Sequence, residues 1–488
     1  MRHATPLAPV GLPVTTPSPA PAPPAETTKR LLPWLVAVAF FMQSLDTTIL
    51  NTAVPAIAQA MHVTPLDMKS VLASYTLSLA VFIPISGWMA DRFGTRRVFA
   101  SAIGLFTLGS LLCGLAVDIN MLVACRVIQG MGGAMMVPVG RMTMVRTFPK
   151  SELIVAMSFV SVPSMVGPML GPLLGGLIVH YLHWSVVFLV NLPVGLIGLL
   201  LVWRFLPDYR QDKTNALDIV GLVLFGSGVA LLSYVLEVFG DHRLGNLEIL
   251  GLLGLSVLLL AGYGVNAMHT QYPLLRLSLL RLRTFRAAVG GSFFSRLGLG
   301  GIPFLFPLLY QIGMGFTPVQ SGLLMMPQAM AAMGLKLIVP KILARFGYRT
   351  VLVANTLILG VLIMGFATID VGTPWWRIAL QSFILGFFTS TQYTAMNTLV
   401  YADVTDEETS AASTIASTGQ QMSITFGVAS ASLIAAFFVP DSLRSNPTAL
   451  IYGVHVAFIV LGLMTIASSL IFMPLKKDDG GAISRYKS

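Results

Sequence analysis

The chain is a succession of apolar runs about 20 residues long, separated by short polar stretches, and nothing else in it constrains the fold so strongly. A run of that length is what a helix needs to cross the hydrocarbon of a bilayer, where the backbone must satisfy its own hydrogen bonds. Such runs fall at 32–54, 71–90, 98–117, 121–140, 153–180, 184–206, 218–238, 247–267, 287–311, 319–340, 350–369, 376–400, 411–438 and 450–474. The sequence therefore predicts an all-α polytopic membrane protein with fourteen transmembrane helices. A soluble chain of 488 residues would carry far more charge than the 10% found here against 55% hydrophobic residues.

Loop charge sets the expected orientation. With the first residues cytoplasmic, only Lys69, Arg243, Arg377 and Arg444 of the 30 Lys and Arg fall in outer loops, and Arg126, Arg296 and Lys336 fall inside spans. The rest lie on the inner side, as the positive-inside rule requires, so both termini are expected in the cytoplasm. Topology and lipid headgroups then account for the net charge of +10, and no nucleic acid is needed as a partner. Residues 1–30, rich in Pro, Ala and Thr, are expected to be an unstructured cytoplasmic tail rather than a cleaved signal, with a second tail at 475–488. Cys113 and Cys125 fall within spans and are read as small hydrophobes. No metal-ligand cluster, nucleotide-binding loop or nucleophile-and-base set is found, which argues against an enzyme.

Charge is concentrated in "GWMADRFGTRR" at 87–97, directly behind an apolar run, and its Arg-Phe-Gly-x-Arg core recurs at Arg345 to Arg349. If both copies mark the same place in a six-helix unit, the units are spans one to six (31–206) and nine to fourteen (287–474). Residues 207–286 are then an inserted helix pair with a central loop. Two six-helix halves with a substrate site between them at mid-membrane are a transporter architecture.

Five stretches in order along the chain resemble the major facilitator superfamily, and within it the fourteen-span drug:proton antiporters of the EmrB/QacA type. They are "SLDTTILNTAVPAIA", "GWMADRFGTRR", "RVIQGMGGA", "GPMLGPLLGG" and "HWSVVFLVNLPVG". "FFMQSLDTTI", "GGAMMVPVGR" and "QIGMGF" bring it near one exporter subgroup. The resemblance implies two six-helix bundles plus the inserted pair, and export across a bacterial inner membrane by alternating access. It also implies a proton gradient as energy source in place of any cofactor, and small-molecule substrate and protons as the transported partners. Periplasmic adaptor proteins are a further candidate partner, the chain being otherwise monomeric. Uptake of a nutrient organic anion and a non-transporting membrane sensor remain alternatives.

Individual residues acquire expected roles. Gly87, Asp91, Arg92, Gly94, Arg96 and Arg97 form the candidate gating loop; the second copy has Ala344 where Asp91 stands. Gln43, Thr47 and Asn51 recur at four-residue spacing as a polar stripe of span one, beside Asp46. At 1.5 Å per residue, Asp46 lies ~20 Å from the inner end of its helix and Arg126 ~8 Å from the outer end of its own, similar depths. Burial works against the ionised carboxylate and a nearby Arg supports it, so Asp46 and Arg126 are the candidate proton-coupling pair. A fixed structural ion pair is the alternative. Gly167, Gly171, Pro172, Gly175 and Gly176 make a small-residue ladder for close helix packing, which the resemblance identifies as an antiporter motif. Arg296 and Lys336 are intramembrane cations with no acid beside them in sequence. They are assigned to the substrate cavity with Gln43, Thr47 and Asn51, and they raise the expectation of an anionic substrate; the alternatives are that Lys336 snorkels to the inner interface and that Arg296 is a structural cation between helices.

Overall fold

The computed structural model describes residues 26–211, 214–239, 245–334, 338–439, 446–476 and 478–481. Long helices occupy every expected span. They are α1 (Glu26–Ala60), α2 (Lys69–Phe93), α3 (Thr95–Gly114), α4 (Ile119–Thr147), α5 (Lys150–Tyr181), α6 (Asn191–Phe205), α7 (Ile219–Val238), α8 (Asn246–His269), α9 (Arg283–Gly300), α10 (Pro318–Gly334), α11 (Tyr348–Gly365), α12 (Trp375–Leu399), α13 (Thr409–Phe437) and α14 (Pro447–Ser468). Among the described residues ten spans are long and apolar enough to cross a membrane, or eleven if the bent pair Pro318–Gly334 and Val339–Phe346 counts as one. The expected spans at 376–400 and 411–438 are helices that miss this measure. Both carry runs of Ser, Thr and Gln, which lower their hydropathy without ending the helix. In α5 the apolar stretch is Met165–Tyr181.

Helix ends follow local chemistry. Asp118 caps α4 through the Met121 amide, and Asn446 caps α14 through the Thr448 amide. Gly94 and Gly347, at the same place in the two Arg-Phe-Gly-x-Arg copies, have φ of 95° and 74°. That left-handed backbone lets one helix stop and the next begin within a residue, which a side-chain-bearing residue would resist.

Helices α1–α6 and α9–α14 form two groups, and α7 and α8 pack on each other beside them, α7 touching α2 and α13. Asp218 clamps this extra pair: it caps α7 at the Gly221 amide, accepts from Asn266 of α8 at 3.0 Å, and accepts from the Leu274 amide. At the other end of α7, Lys69 donates to the Glu237 carbonyl at 2.7 Å and Ser70 bonds the Glu237 carboxylate.

Three apolar cores show how the groups meet. One is built from α1–α6 toward the end that carries the Arg-Phe-Gly-x-Arg segments, here the loop end. A second joins α9, α11, α12 and α13 to α7 and α8 at that same end. The third joins both groups at the far end, where Ile49, Leu50 and Ala53 meet Ile302, Leu305 and Leu324.

Candidate functional site

Asp46 of α1 and Arg126 of α4 meet at 2.6 Å, each only 1% exposed. The depths counted along their helices foreshadow this pairing. Gln129, one turn after Arg126, accepts from Arg126 at 2.6 Å and donates to Asp46 at 2.8 Å and to Ser110 of α3 at 2.7 Å. Asn191, the first residue of α6, donates to Asp46 at 2.9 Å. The guanidinium also lies over the Tyr75 ring of α2, 4.1 Å from its centre. The carboxylate thus receives three side-chain donors from two helices besides its own, which is the satisfaction an ionised group needs when buried.

Tyr75, Ser110 and the bonding role of Asn191 are not signalled by the sequence, since each acts through another helix. Gln129 belongs to the "RVIQGMGGA" stretch and stands at i+3 from Arg126, the spacing that places both on one face.

The polar stripe of α1 lies beside this network but does not enter it. Thr47 donates to the Gln43 carbonyl at 2.7 Å, Asn51 to the Thr47 carbonyl at 3.5 Å, and Gln43 Oε1 is buried without a partner among the described residues. Arg296 of α9 is 3% exposed. It stacks 3.6 Å from the centre of the Tyr393 ring, donates to Ser292 at 2.9 Å and reaches Asn397 at 3.4 Å. Neutral groups and a π face therefore hold this cation, and no carboxylate pairs with it among the described residues. The structure brings Arg296 to Tyr393 and Asn397 rather than to the α1 stripe. Lys336 lies outside the described residues.

The glycine ladder is a contact surface. A Cβ at Gly167 or Gly171 would overlap Ser44 or Thr48 of α1, and one at Gly175 would overlap the Ile49 carbonyl. One residue on, a Cβ at Gly176 would overlap the Pro318 carbonyl of α10, and one at Gly322 the Pro172 carbonyl. So α5 lies close against its own group on one side and against the other group on the next. Hydrogen bonds between the groups gather at this far end: Gln311 to the Thr52 carbonyl at 2.9 Å, Ser432 to the Leu66 carbonyl at 3.2 Å, and, deeper, Thr425 to Thr76 at 2.7 Å. Gln311 sits in a π-helical turn, Leu308–Gly313, that continues α9.

At the loop end the charges bond within a group. Asp91 pairs with Arg146 of α4 at 2.5 Å, a partner the sequence does not indicate, while Arg92 and Arg97 are exposed and Gly87 half-buried. The segment after α6 straps this loop: the Thr95 amide donates to the Tyr209 carbonyl, the Gln211 amide to the Asp91 carbonyl, and the Arg96 amide to Asp208 at 3.1 Å. The second copy is strapped by the segment after α14. There Asp479 binds Arg283 through two hydrogen bonds of 3.0 and 2.6 Å, and a Cβ at Gly480 would overlap the Tyr348 ring.

A family model described as Major Facilitator Superfamily matches residues 36–428 and 291–487. Multidrug resistance protein MdtD of Escherichia fergusonii is 41% identical over 458 residues, covering 93% of this chain and 97% of that protein. MdtD of Serratia proteamaculans is 41% identical over 87% of this chain and 88% of its own. Among solved structures, a bacterial homologue of the human lysosomal transporter Spinster, inward-facing and unoccupied, superposes with a TM-score of 0.66 at 14% identity, covering 95% of this chain and 99% of that one. A D-xylose–proton symporter gives 0.66 at 13% identity over 93% and 99%. At such identities the likeness concerns the fold.

Proposed function

Because the chain belongs to the major facilitator superfamily, we propose that it is a proton-coupled exporter of small organic compounds, working by alternating access across the bacterial inner membrane. The observation that carries this reading is the buried Asp46–Arg126 pair, wired through Gln129 to α3 and joined by Asn191 of α6. Asp46 lies on α1 three residues before Ile49, whose carbonyl faces Gly175 on the helix that seals the far end. Loss of a hydrogen-bond acceptor at Asp46 on protonation would loosen α1 from α4 and α6, and α1 carries the ladder contacts that keep α5 against α10. Proton uptake from one side and substrate movement to the other are then linked through one helix. The MdtD relatives, named for multidrug resistance, support export as the direction and drug-like compounds as the cargo.

The finer expectation, an anionic group on the preferred substrate, rests on Arg296. Tyr393, Ser292 and Asn397 hold that cation without neutralising it. A substrate carboxylate that displaced the Tyr393 ring would supply the missing charge.

The test is transport in inverted membrane vesicles with an imposed pH gradient and a panel of cationic, neutral and anionic compounds. The unmodified protein is expected to accumulate its substrate only with the gradient, and Asp46→Asn to lose that accumulation while remaining inserted. Accumulation indifferent to the gradient would refute proton coupling. For the finer expectation, Arg296→Gln should weaken transport of organic anions well beyond that of cations; a protein that moves cations alone would refute it.

A further inference from the structure

A crevice of about 260 Å³ runs along the outside of the first six-helix group between α1, α3 and α6. Its lining is apolar, with Leu31, Trp34 and Met42 on α1, Ile103 on α3, and Ile197 and Gly198 on α6. Leu31 to Met42 spans ~16 Å of helix, so the crevice is a slot along the bilayer normal rather than a dimple. Its rim faces lipid: Trp34 is 56% and Ile197 58% exposed.

Two glycines of α6 distinguish packing from empty space. A Cβ at Gly195 would overlap Thr107 of α3, whereas a Cβ at Gly198, in the crevice, would meet nothing within 4 Å. The slot is thus left open where a side chain could have filled it.

Each wall helix continues its lining stripe into an arginine at the loop end. Arg30 stands four residues before Trp34, Arg96 seven before Ile103, and Arg204 seven after Ile197, spacings that keep to one helix face. Arg30 and Arg204 are exposed, and Arg96 Nε is buried with no partner among the described residues. Two acids of this end have other partners: Asp208 accepts the Arg96 amide, and Glu152 pairs with Lys29 at 3.8 Å. An apolar slot in the hydrocarbon that opens onto three arginines at headgroup level matches one kind of molecule.

We propose that this crevice binds an anionic phospholipid, one acyl chain lying between α1, α3 and α6 and the phosphate held by Arg30, Arg96 and Arg204. The guanidinium fork suits phosphate oxygens, and the surrounding positive charge favours a headgroup with net negative charge over a zwitterionic one. Occupancy would wedge the end of α6 and the strap that follows it, which holds the Thr95–Arg96 segment.

Trp34 is the reporter. In a variant keeping Trp34 as the only one of the six tryptophans, reconstituted with brominated-chain lipids, phosphatidylglycerol is expected to quench more strongly than phosphatidylcholine at equal mole fraction. Arg30→Gln and Arg204→Gln should each lower the preference about fivefold, the usual contribution of one basic side chain near an anionic surface. Gly198→Leu should abolish deep quenching by either lipid. Should the tryptophan-poor variant not fold, native mass spectrometry of the otherwise unmodified protein reads the same quantity. One retained phosphatidylglycerol is expected, lost in Gly198→Leu. Equal quenching by the two lipids, a preference indifferent to the arginines or to Gly198→Leu, or protection of Trp34 by a transported lipophilic compound but not by lipid would each overturn the proposal.

Discussion

In α4, Arg126 stands three residues before Gln129; in α12, Thr389 stands three residues before Gln392. Both glutamines are fully buried and both reach a hydroxyl on the preceding helix, Gln129 to Ser110 and Gln392 to Thr356 at 2.8 Å. Around Gln129 the other partners are an ion pair and, more distantly, the Cys113 thiol at 3.8 Å. Around Gln392 they are neutral: Asn355 donates to it at 2.7 Å and to the Phe388 carbonyl at 2.9 Å. Arg296, a buried cation of the second group, lies instead on α9 against an aromatic ring. The comparison teaches that a shared helical scaffold has been loaded with a titratable network on one side only. On the proposed function, a proton-dependent change would belong to the first group, and the second would bind and follow.

The largest expected effect separates these two networks. Arg126→Leu leaves Asp46 buried without its cation and should cost about 3–5 kcal/mol, seen as collapse of the melting temperature in detergent. Gln392→Leu unsatisfies only neutral groups and should cost about 1–3 kcal/mol. Equal losses would break the comparison.

The seam between the groups comes next. Gly322→Leu forces a side chain against Pro172, an overpacking of about 1–3 kcal/mol on the closed far end alone. That should shift the population toward far-end opening by about 5- to 150-fold. A cysteine at Thr52 should become correspondingly more reactive from that side, and an unchanged labelling rate would show that the seam is not what closes this end.

Smaller effects belong to the loops. Asp91→Asn removes the pair with Arg146, about one quarter exposed, so stability should change by no more than about 1 kcal/mol while turnover slows several-fold. Arg345→Gln in the second copy, which has no acid at Ala344, should slow turnover less. The least effect is expected at Asp479. Burial works against its ionisation, but hydrogen bonds from Arg283 and the Lys476 amide outweigh this and hold the carboxyl below its ordinary range. Its stabilisation is therefore complete above pH ~3.9 and lost as pH falls through the lower folded value. Asp479→Asn should flatten that acid limb in a thermal-shift series and do little at neutral pH.

How far these features could be read in advance depends on where their causes lie. The helices were legible because a bilayer imposes length and apolarity on each span separately, whatever its neighbours. The Asp46–Arg126 pair was legible because depth can be counted along a helix from either end, and two opposite charges in hydrocarbon must find each other. The far-end ladder was legible as a close-packing surface, although not which residues fit it. Ser110, Tyr75 and Arg146 were not legible, since they are ordinary residues of their own helices and gain a role only from what stands opposite. The same holds for the straps, where Asp208 and Asp479 meet their partners across more than 100 residues of chain. Arg296 was legible as an oddity; that an aromatic ring rather than an acid meets it was not.

The claim that the first group holds the coupling site is tested most directly by proton release from purified protein in weakly buffered detergent solution when substrate is added. The unmodified protein is expected to release protons in proportion to bound substrate, and Arg296→Gln to release as many per substrate bound. Asp46→Asn is expected to bind substrate and release none. Undiminished release from Asp46→Asn, with binding intact, would contradict the account.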